Sequence, residues 1–498
     1  MDYLPPQPVR TRELLARYQR ARRRQALVIA SAALLLILGA AAVVFMLLYV
    51  RACQRGVAPE GGGRPGASRR KPSRVKILAV HDLDPAPWLL AIDAEYLYTA
   101  QDTGGATSNG RNYPADVLSA LPLAGGETVW KWTQGMELSR LLVSGGRVIC
   151  LRERLGEPPS VELSTYRVED GKPGWRLTLA GAEQAQPYAS DKVLVLSYRK
   201  EAAFQLVGIN AATGVKAWAL SPRPRGLKVD ASAAGGAVLD LSGWGGLCAY
   251  SLGNVAGFVS LGTGKLRREY AAPGYIDRLE YDASADCAYL LCALEASQTA
   301  LIALDLQTGQ AVRLATLGAV GDDALLVADH GCVALAMTEQ AAAGPSRRVV
   351  CFGPGQSAAA VDVRLKDGVF ADLASMSASP GDFFLGVNDG AAQGGKMVGG
   401  SRLYRLRCSD GLLWQVKRFD NPILYVLPFK DDCLVLLYGG DVLSCSGAAS
   451  RVRRLRHAAY PNLEPVLDAA QTHLALYSYP DAHAQGTPGQ PGQLIVLK

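Results

Sequence analysis

From residue 77 onward the apolar positions fall in short runs, each set off by a cluster of Gly, Ser or acidic residues. SGGRVICL (144–151), SDKVLVLSY (190–198), SADCAYLL (284–291), DHGCVALAM (329–337) and KDDCLVLLY (430–438) share one form: a turn, then four to six mostly apolar residues. Alternation within them is partial, as expected of strands buried on both faces. Each run is followed by a second segment broken at a fixed glycine: SALPLAGGETVW (119–130), STYRVEDGKPGW (164–175), LVGINAATGVKAW (206–218), AGFVSLGTGKLR (256–267), LIALDLQTGQAVR (301–313), VVCFGPGQSAAA (349–360), LYRLRCSDGLLW (403–414) and VLSCSGAASRVR (442–453). The pattern predicts a unit of strand, loop, strand, tight Gly turn and strand.

The turn glycines are Gly126, Gly171, Gly214, Gly264, Gly309, Gly355, Gly411 and Gly447, mostly 43–50 residues apart. A period of that size with several strands per unit predicts a β-propeller. One blade cannot bury both faces of its sheet, and a ring of blades can. Trp130, Trp175, Trp218 and Trp414 recur three or four residues after the glycine. A residue that recurs once per unit is expected to pack between blades rather than to stack on a ligand. Eight units carry the glycine, and a ninth partial unit, 466–498, ends at LIVLK without its last strand. The segment 75–82, VKILAVHD, can supply that strand and close the ring. The expected fold is all-β, a propeller of four-stranded blades, eight favoured, with seven and nine as alternatives, preceded by one transmembrane α-helix.

That helix is read from Ala26 to Val50, 25 positions without a charge. It would be about 37 Å long, enough to cross a hydrocarbon core of ~30 Å. The run is too long for a cleavable signal, and Arg51 two positions before Cys53 disfavours a lipoprotein site. Arg12, Arg17, Arg20, Arg22, Arg23 and Arg24 precede the span; Arg51, Arg55 and Arg64 follow it at similar distance. The bias predicts residues 1–25 as a short basic cytoplasmic tail and 77–498 as an extracytoplasmic domain. Residues 51–76, rich in Gly, Pro, Ser and Arg, read as a flexible basic linker. Its Arg64, Arg69, Arg70, Lys71, Arg74 and Lys76 could meet anionic lipid head groups or an anionic polymer, or simply be solvated.

Composition adds little to the fold and more to what is excluded. Of 498 residues, 53 are Gly and 27 Pro, which fits many short strands. The net charge of +7 is uneven: residues 1–76 carry 15 Lys/Arg against 3 Asp/Glu, and the remainder 37 against 42. The large domain is therefore mildly acidic, and no nucleic-acid partner is expected. No Asn-x-Ser/Thr acceptor occurs, which points to a bacterial cell envelope.

The repeat resembles the PQQ-like family of quinoprotein-type propellers, whose unit resembles aLDaxTGkxxW; the best copies are Ile209–Trp218 and Leu304–Arg313. The resemblance covers about 420 residues and implies the propeller fold. Within that family the closest functional look-alikes are non-enzymatic members, among them the propeller subunit of the outer-membrane protein assembly machine. The quinoprotein dehydrogenases hold a quinone on a tryptophan floor under a vicinal disulfide, beside an acidic Ca²⁺ site. No Cys-Cys pair and no acidic loop cluster stand here, so the resemblance carries the fold and not the oxidoreductase; no cofactor and no metal are expected.

GxSxG, HExxH, GxxxxGK[ST] and CxxC are missing as well. His81, His330, His457, His473 and His483 are spread over 400 residues, and a composite site at the ring axis would have to gather them. Of ten cysteines, Cys287, Cys332 and Cys433 share one repeat position and Cys351, Cys408 and Cys445 lie near another. Repeat-equivalent cysteines stand a blade apart and are not expected to bond. Cys433–Cys445 and Cys332–Cys351 are the plausible pairs, against buried free thiols. The sequence thus reads as a membrane-anchored, non-enzymatic scaffold for proteins or envelope polymers. An enzyme or sensor with a small ligand in the central channel is the alternative.

Overall fold

The computed structural model describes residues 75–498 apart from 85–86, 88, 103–111, 134, 202, 223–239, 245, 295–297, 342–343, 376–378, 380, 390–391, 394–395, 398, 431, 447–450, 468–471 and 480–491. The span expected at 26–50, the linker and its basic residues up to Arg74 lie outside the described residues. Among the described residues no helix is long and apolar enough to cross a membrane.

Among the described residues nine antiparallel sheets of four or five strands follow one another along the chain, with two small two-stranded sheets beside them. Blades 1 to 8 occupy 89–132, 140–180, 182–220, 240–271, 275–317, 319–365, 369–419 and 423–457. Blade 9 takes three strands from 462–497, and its outermost strand is Ile77–Leu83, paired antiparallel with Gly492–Leu497. At most seams the inner strand of one blade lies beside that of the next, and Asn462–Leu467 of blade 9 meets Leu89–Ile92 of blade 1, which closes the ring. The expected closure by 75–82 is therefore observed. The favoured count of eight is corrected to nine. The last unit looks partial in the sequence only because its fourth strand is more than 400 residues away.

Burial explains why these segments are strands. The second strands, such as Leu247–Leu252 and Asp382–Asn388, are buried along their whole length. The outermost strands alternate; Pro173–Ala180 turns every second residue toward solvent. The core is not inside blades but between them. Phe258 of blade 4 packs with Ile276, Leu290 and Ile302 of blade 5, and Phe383 of blade 7 with Val349 and Val361 of blade 6. Each seam between blades is a small hydrophobic core, so each blade depends on its neighbours.

Candidate functional site

Three of the recurring tryptophans build seams. Trp130, Trp175 and Trp218 lie on the outermost strands of their blades and reach the turn between the third and fourth strands of the next, whereas Trp414 lies under Arg405 and Arg407 of its own blade. The indole N–H of Trp130 donates to the Val168 carbonyl, that of Trp175 to Ala211 and that of Trp218 to Leu261, each at 2.8 Å. The acceptor always stands three residues before the turn glycine. Gly171, Gly214 and Gly264 have φ of 66°, 74° and 67°, and a Cβ there would come within 2.6, 2.5 and 2.2 Å of the facing indole. Glycine is required on both counts.

Two other residues stand at the same place relative to the next turn: Arg268, which covers its glycine, and His81, which leaves Gly126 approached only by Pro122 of its own blade, at 3.9 Å. In blade 4 the place of the indole is taken by Arg268, which donates to the carbonyls of Leu306 at 3.2 Å and Gln307 at 2.8 Å. Its guanidinium lies over Gly309, where a Cβ would be 2.6 Å away. Between blades 9 and 1, His81 stands against the Leu123 backbone, three residues before Gly126. Sequence reasoning found the tryptophans and missed Arg268 and His81. The signal was their position relative to the turn, not their residue type.

The next seam, between blades 5 and 6, is packed at its core, where Leu291 and Leu301 meet Val333 and Val350, but is open at its turn end. In blades 3 and 4 a bulge follows the first ladder pair after the turn, which sets Trp218 opposite Gly208 and Arg268 opposite Phe258. In blade 5 the bulge comes two pairs later, between Leu301 and Ile302. Val312 then stands opposite Ala303 in the plug position, and Arg313 points the other way, within electrostatic reach of Tyr270 in blade 4. A one-residue slip exchanges the two faces of a strand. Nothing lies within 4 Å of where a Cβ of Gly355 would be. The result is a cleft of 390 Å³ whose walls include Tyr289, Ala303, Val312, Leu314, Phe352 and Pro354. Among the described residues Asp305 is the one charged side chain lining it. Asp305 accepts from the Gln307 and Thr308 N–H groups at 2.7 and 3.0 Å, which hold its carboxyl below its usual pKa.

The histidines are not gathered. His330, in a turn with φ of 51°, pairs with Asp329 at 2.6 Å; His457 pairs with Asp441 at 2.9 Å; His473 is buried beside Thr472 at 2.9 Å. Each of these bonds stays within one blade. His483 lies outside the described residues. Among the described residues no three His, Cys, Asp or Glu side chains are placed to hold a metal ion. The indoles of Trp130, Trp175 and Trp218 are spent in the seams, so none of these three is free to floor a quinone.

One half-buried carboxylate stands out on the inner strands. Asp372 of blade 7 accepts from its neighbour Leu373 N–H at 2.8 Å and from Val426 N–H of blade 8 at 2.7 Å. Burial pushes its carboxyl up to about 6 against the pull of those two donors. Both oxygens are occupied, and the side chain ties two inner strands together.

The cysteines correct the sequence reading. Cys351 and Cys408, at equivalent places in blades 6 and 7, form a disulfide with Cα atoms 6.0 Å apart. Cysteines at nearly the same place in neighbouring blades can therefore touch. Cys433 and Cys445 do face each other across neighbouring strands, but both are free and buried, and burial raises both thiols. Cys332 is also free; Cys351 is opposite Ala334.

The family described as outer membrane protein assembly factor BamB matches residues 114–360. No curated protein matches the sequence. Among solved structures the chain is similar to BamB from Moraxella catarrhalis, at 13% identity and TM-score 0.40, covering 73% of this chain and 95% of that one. It is similar to a europium-containing methanol dehydrogenase at 11% and 0.46, covering 86% and 94%. It is also similar to the quinohemoprotein alcohol dehydrogenase ADHIIG from Pseudomonas putida HK5 at 12% and 0.44, covering 85% and 76%.

Proposed function

We propose that this PQQ-like β-propeller repeat protein is a protein-binding scaffold held at a membrane by its N-terminal segment, with the propeller on the extracytoplasmic side of a bacterial envelope. The observation that carries the binding role is the open turn end of the seam between blades 5 and 6, an apolar-walled cleft in a ring whose preceding seams are filled. Apolar, concave, pre-formed surface is what a binding module offers, and it needs no catalytic group. The match to an assembly-factor family over 114–360 supports the same reading. The anchor rests on the uncharged run 26–50, the orientation on the arginines before it, and the basic residues Arg64 to Lys76 would lie near the lipid surface.

In-cell crosslinking of the full chain, followed by its purification under denaturing conditions, tests the scaffold. A single protein crosslinked in near-stoichiometric amount to residues 75–498 is expected. A propeller that takes up no protein but binds pyrroloquinoline quinone saturably in calorimetric titration, with or without Ca²⁺, would make it an enzyme instead. For topology, external protease on cells stripped of wall and outer membrane should digest the propeller and spare an N-terminal fragment. Protection in whole cells with digestion after lysis reverses the orientation.

A further inference from the structure

Five successive seams of this ring share one filling pattern, and the seam after them breaks it. From the seam between blades 9 and 1 to that between blades 4 and 5, the plugs are His81, Trp130, Trp175, Trp218 and Arg268. Every plug is a flat side chain with an N–H; the three indoles and Arg268 donate to the carbonyl three residues before the next turn glycine. The equivalent acceptor in blade 6 is Phe352, three residues before Gly355, and both line the open cleft. Further round, the position over Gly411 is met by the Ala360 backbone, 2.6 Å from where a Cβ would be, so that seam is filled by main chain.

We infer that the cleft between blades 5 and 6 is a socket for a tryptophan side chain carried by a basic segment of a partner protein, docked as Trp218 docks in its own seam. This rests on the scaffold reading and names the chemistry of its partner. Shape is the first argument. The wall that an indole would cover (Ala303, Tyr289, Leu314, Phe352 and Gly355) corresponds to Gly208, Val195, Leu220, Leu261 and Gly264 around Trp218, two seams earlier. The second argument is charge. Among the described residues the lining holds one carboxylate, Asp305, and no Lys or Arg. Asp282 and Asp329 add to the negative field around Cys287 and Cys332 at the same edge. An indole flanked by Lys or Arg satisfies both features. The third argument excludes the chain's own tail as occupant: residues 1–74 contain no Trp.

The test uses the full chain in detergent and three peptides, Lys-Trp-Lys, Lys-Ala-Lys and Glu-Trp-Glu, with binding read by fluorine NMR of a terminal trifluoroacetyl tag. Lys-Trp-Lys should bind about tenfold more tightly than Lys-Ala-Lys, as one buried aromatic group implies. It should also bind more tightly than Glu-Trp-Glu. Val312→Trp fills the socket from its own strand and should abolish the Lys-Trp-Lys signal with an unchanged melting temperature. Asp305→Asn should erase the preference for Lys over Glu flanks. That variant keeps the turn, because Asn210 accepts the same pair of backbone N–H groups in blade 3, at 3.1 Å each. Equal binding of the Trp and Ala peptides overturns the socket, as does undiminished binding by folded Val312→Trp. If Val312→Trp does not fold, Asp305→Asn decides: an unchanged Lys preference overturns it. A photo-crosslinker at Gln310 that captures only residues 51–76 of the same chain, or only a second copy, also overturns it. A protein partner crosslinked elsewhere on the ring, together with silent peptides, sinks the socket and leaves the scaffold standing.

Discussion

Trp218 and Gly264 share one space: a Cβ on Gly264 would lie 2.2 Å from the indole Cγ of Trp218, whose N–H donates to Leu261 in the same turn. The two residues are 46 positions apart in sequence and in different blades. Removing the indole leaves a buried cavity and an unpaired carbonyl. Trp218→Ala should cost about 3–5 kcal/mol of stability, read by denaturant melts of the full chain. Gly264→Ala adds a clash to a left-handed φ and should be comparably harmful. In the Trp218→Ala background only the backbone strain is left, about 1–2 kcal/mol. The double-mutant cycle should therefore show a coupling of roughly 1–3 kcal/mol. Additive effects would mean that the two do not touch.

Asp372 makes stability depend on pH in an unusual direction. Its folded pKa, raised from 3.8 to about 6, means the folded state binds more protons than the unfolded chain between those values. Its contribution is fully present below pH 3.8 and is lost as pH rises through 6. The rise is equivalent to about 3 kcal/mol. Wild type should therefore gain on Asp372→Asn by up to that amount as pH falls from 7 to 4, measured as the difference between their denaturant midpoints. A difference that is flat with pH would show that the carboxyl titrates normally.

The disulfide ties blade 6 to blade 7 across a stretch of 57 residues. Cys351→Ser and Cys408→Ser should each lower stability by about 2–4 kcal/mol, and the double variant by no more than either single one. Reductant should reproduce the effect in the wild type and leave the variants unmoved. Equal melting with and without reductant would mean that the bond does not form.

Repeats were legible because each blade solves the same burial problem with the same residues: the apolar second strand, the turn glycine and the seam tryptophan all recur at fixed spacing. Arg268 and His81 were not legible, since a guanidinium, an imidazole and an indole share only a flat shape and an N–H. The open socket was hidden for a different reason. Arg313 stands as far after Gly309 as Arg268 does after Gly264, so the two blades read alike. Only the bulge, displaced by two ladder pairs in blade 5, turns Arg313 away and leaves Val312 in its place. The blade count failed because the closing strand Ile77–Leu83 belongs to a unit that ends 415 positions later, at Lys498.

That closing strand gives the sharpest test of the ring. Ile77–Leu83 covers one edge of Gly492–Leu497, and Leu494, Ile495, Val496 and Leu497 are fully buried. Deleting residues 75–83 uncovers an edge strand of Leu, Ile and Val next to blade 1, a template for pairing with other chains. The deleted protein should melt without a sharp transition and associate on size-exclusion chromatography. The sequence of the lost strand should work equally well from the other terminus. Lys76 and Lys498 exchange two backbone hydrogen bonds, Lys76 N–H to Lys498 at 2.9 Å and Lys498 N–H to Lys76 at 2.8 Å, so the end of one strand sits beside the start of the other. An Asn-Gly turn placed after Lys498 and followed by residues 76–83 makes this pair an ordinary two-residue hairpin. The rearranged chain, beginning at Asp84, should recover a cooperative melt within a few degrees of the wild type and elute as the wild type does. A deletion variant that melts as sharply as the wild type, or a rearranged chain no better than the deletion, would show that the ring does not depend on this closure.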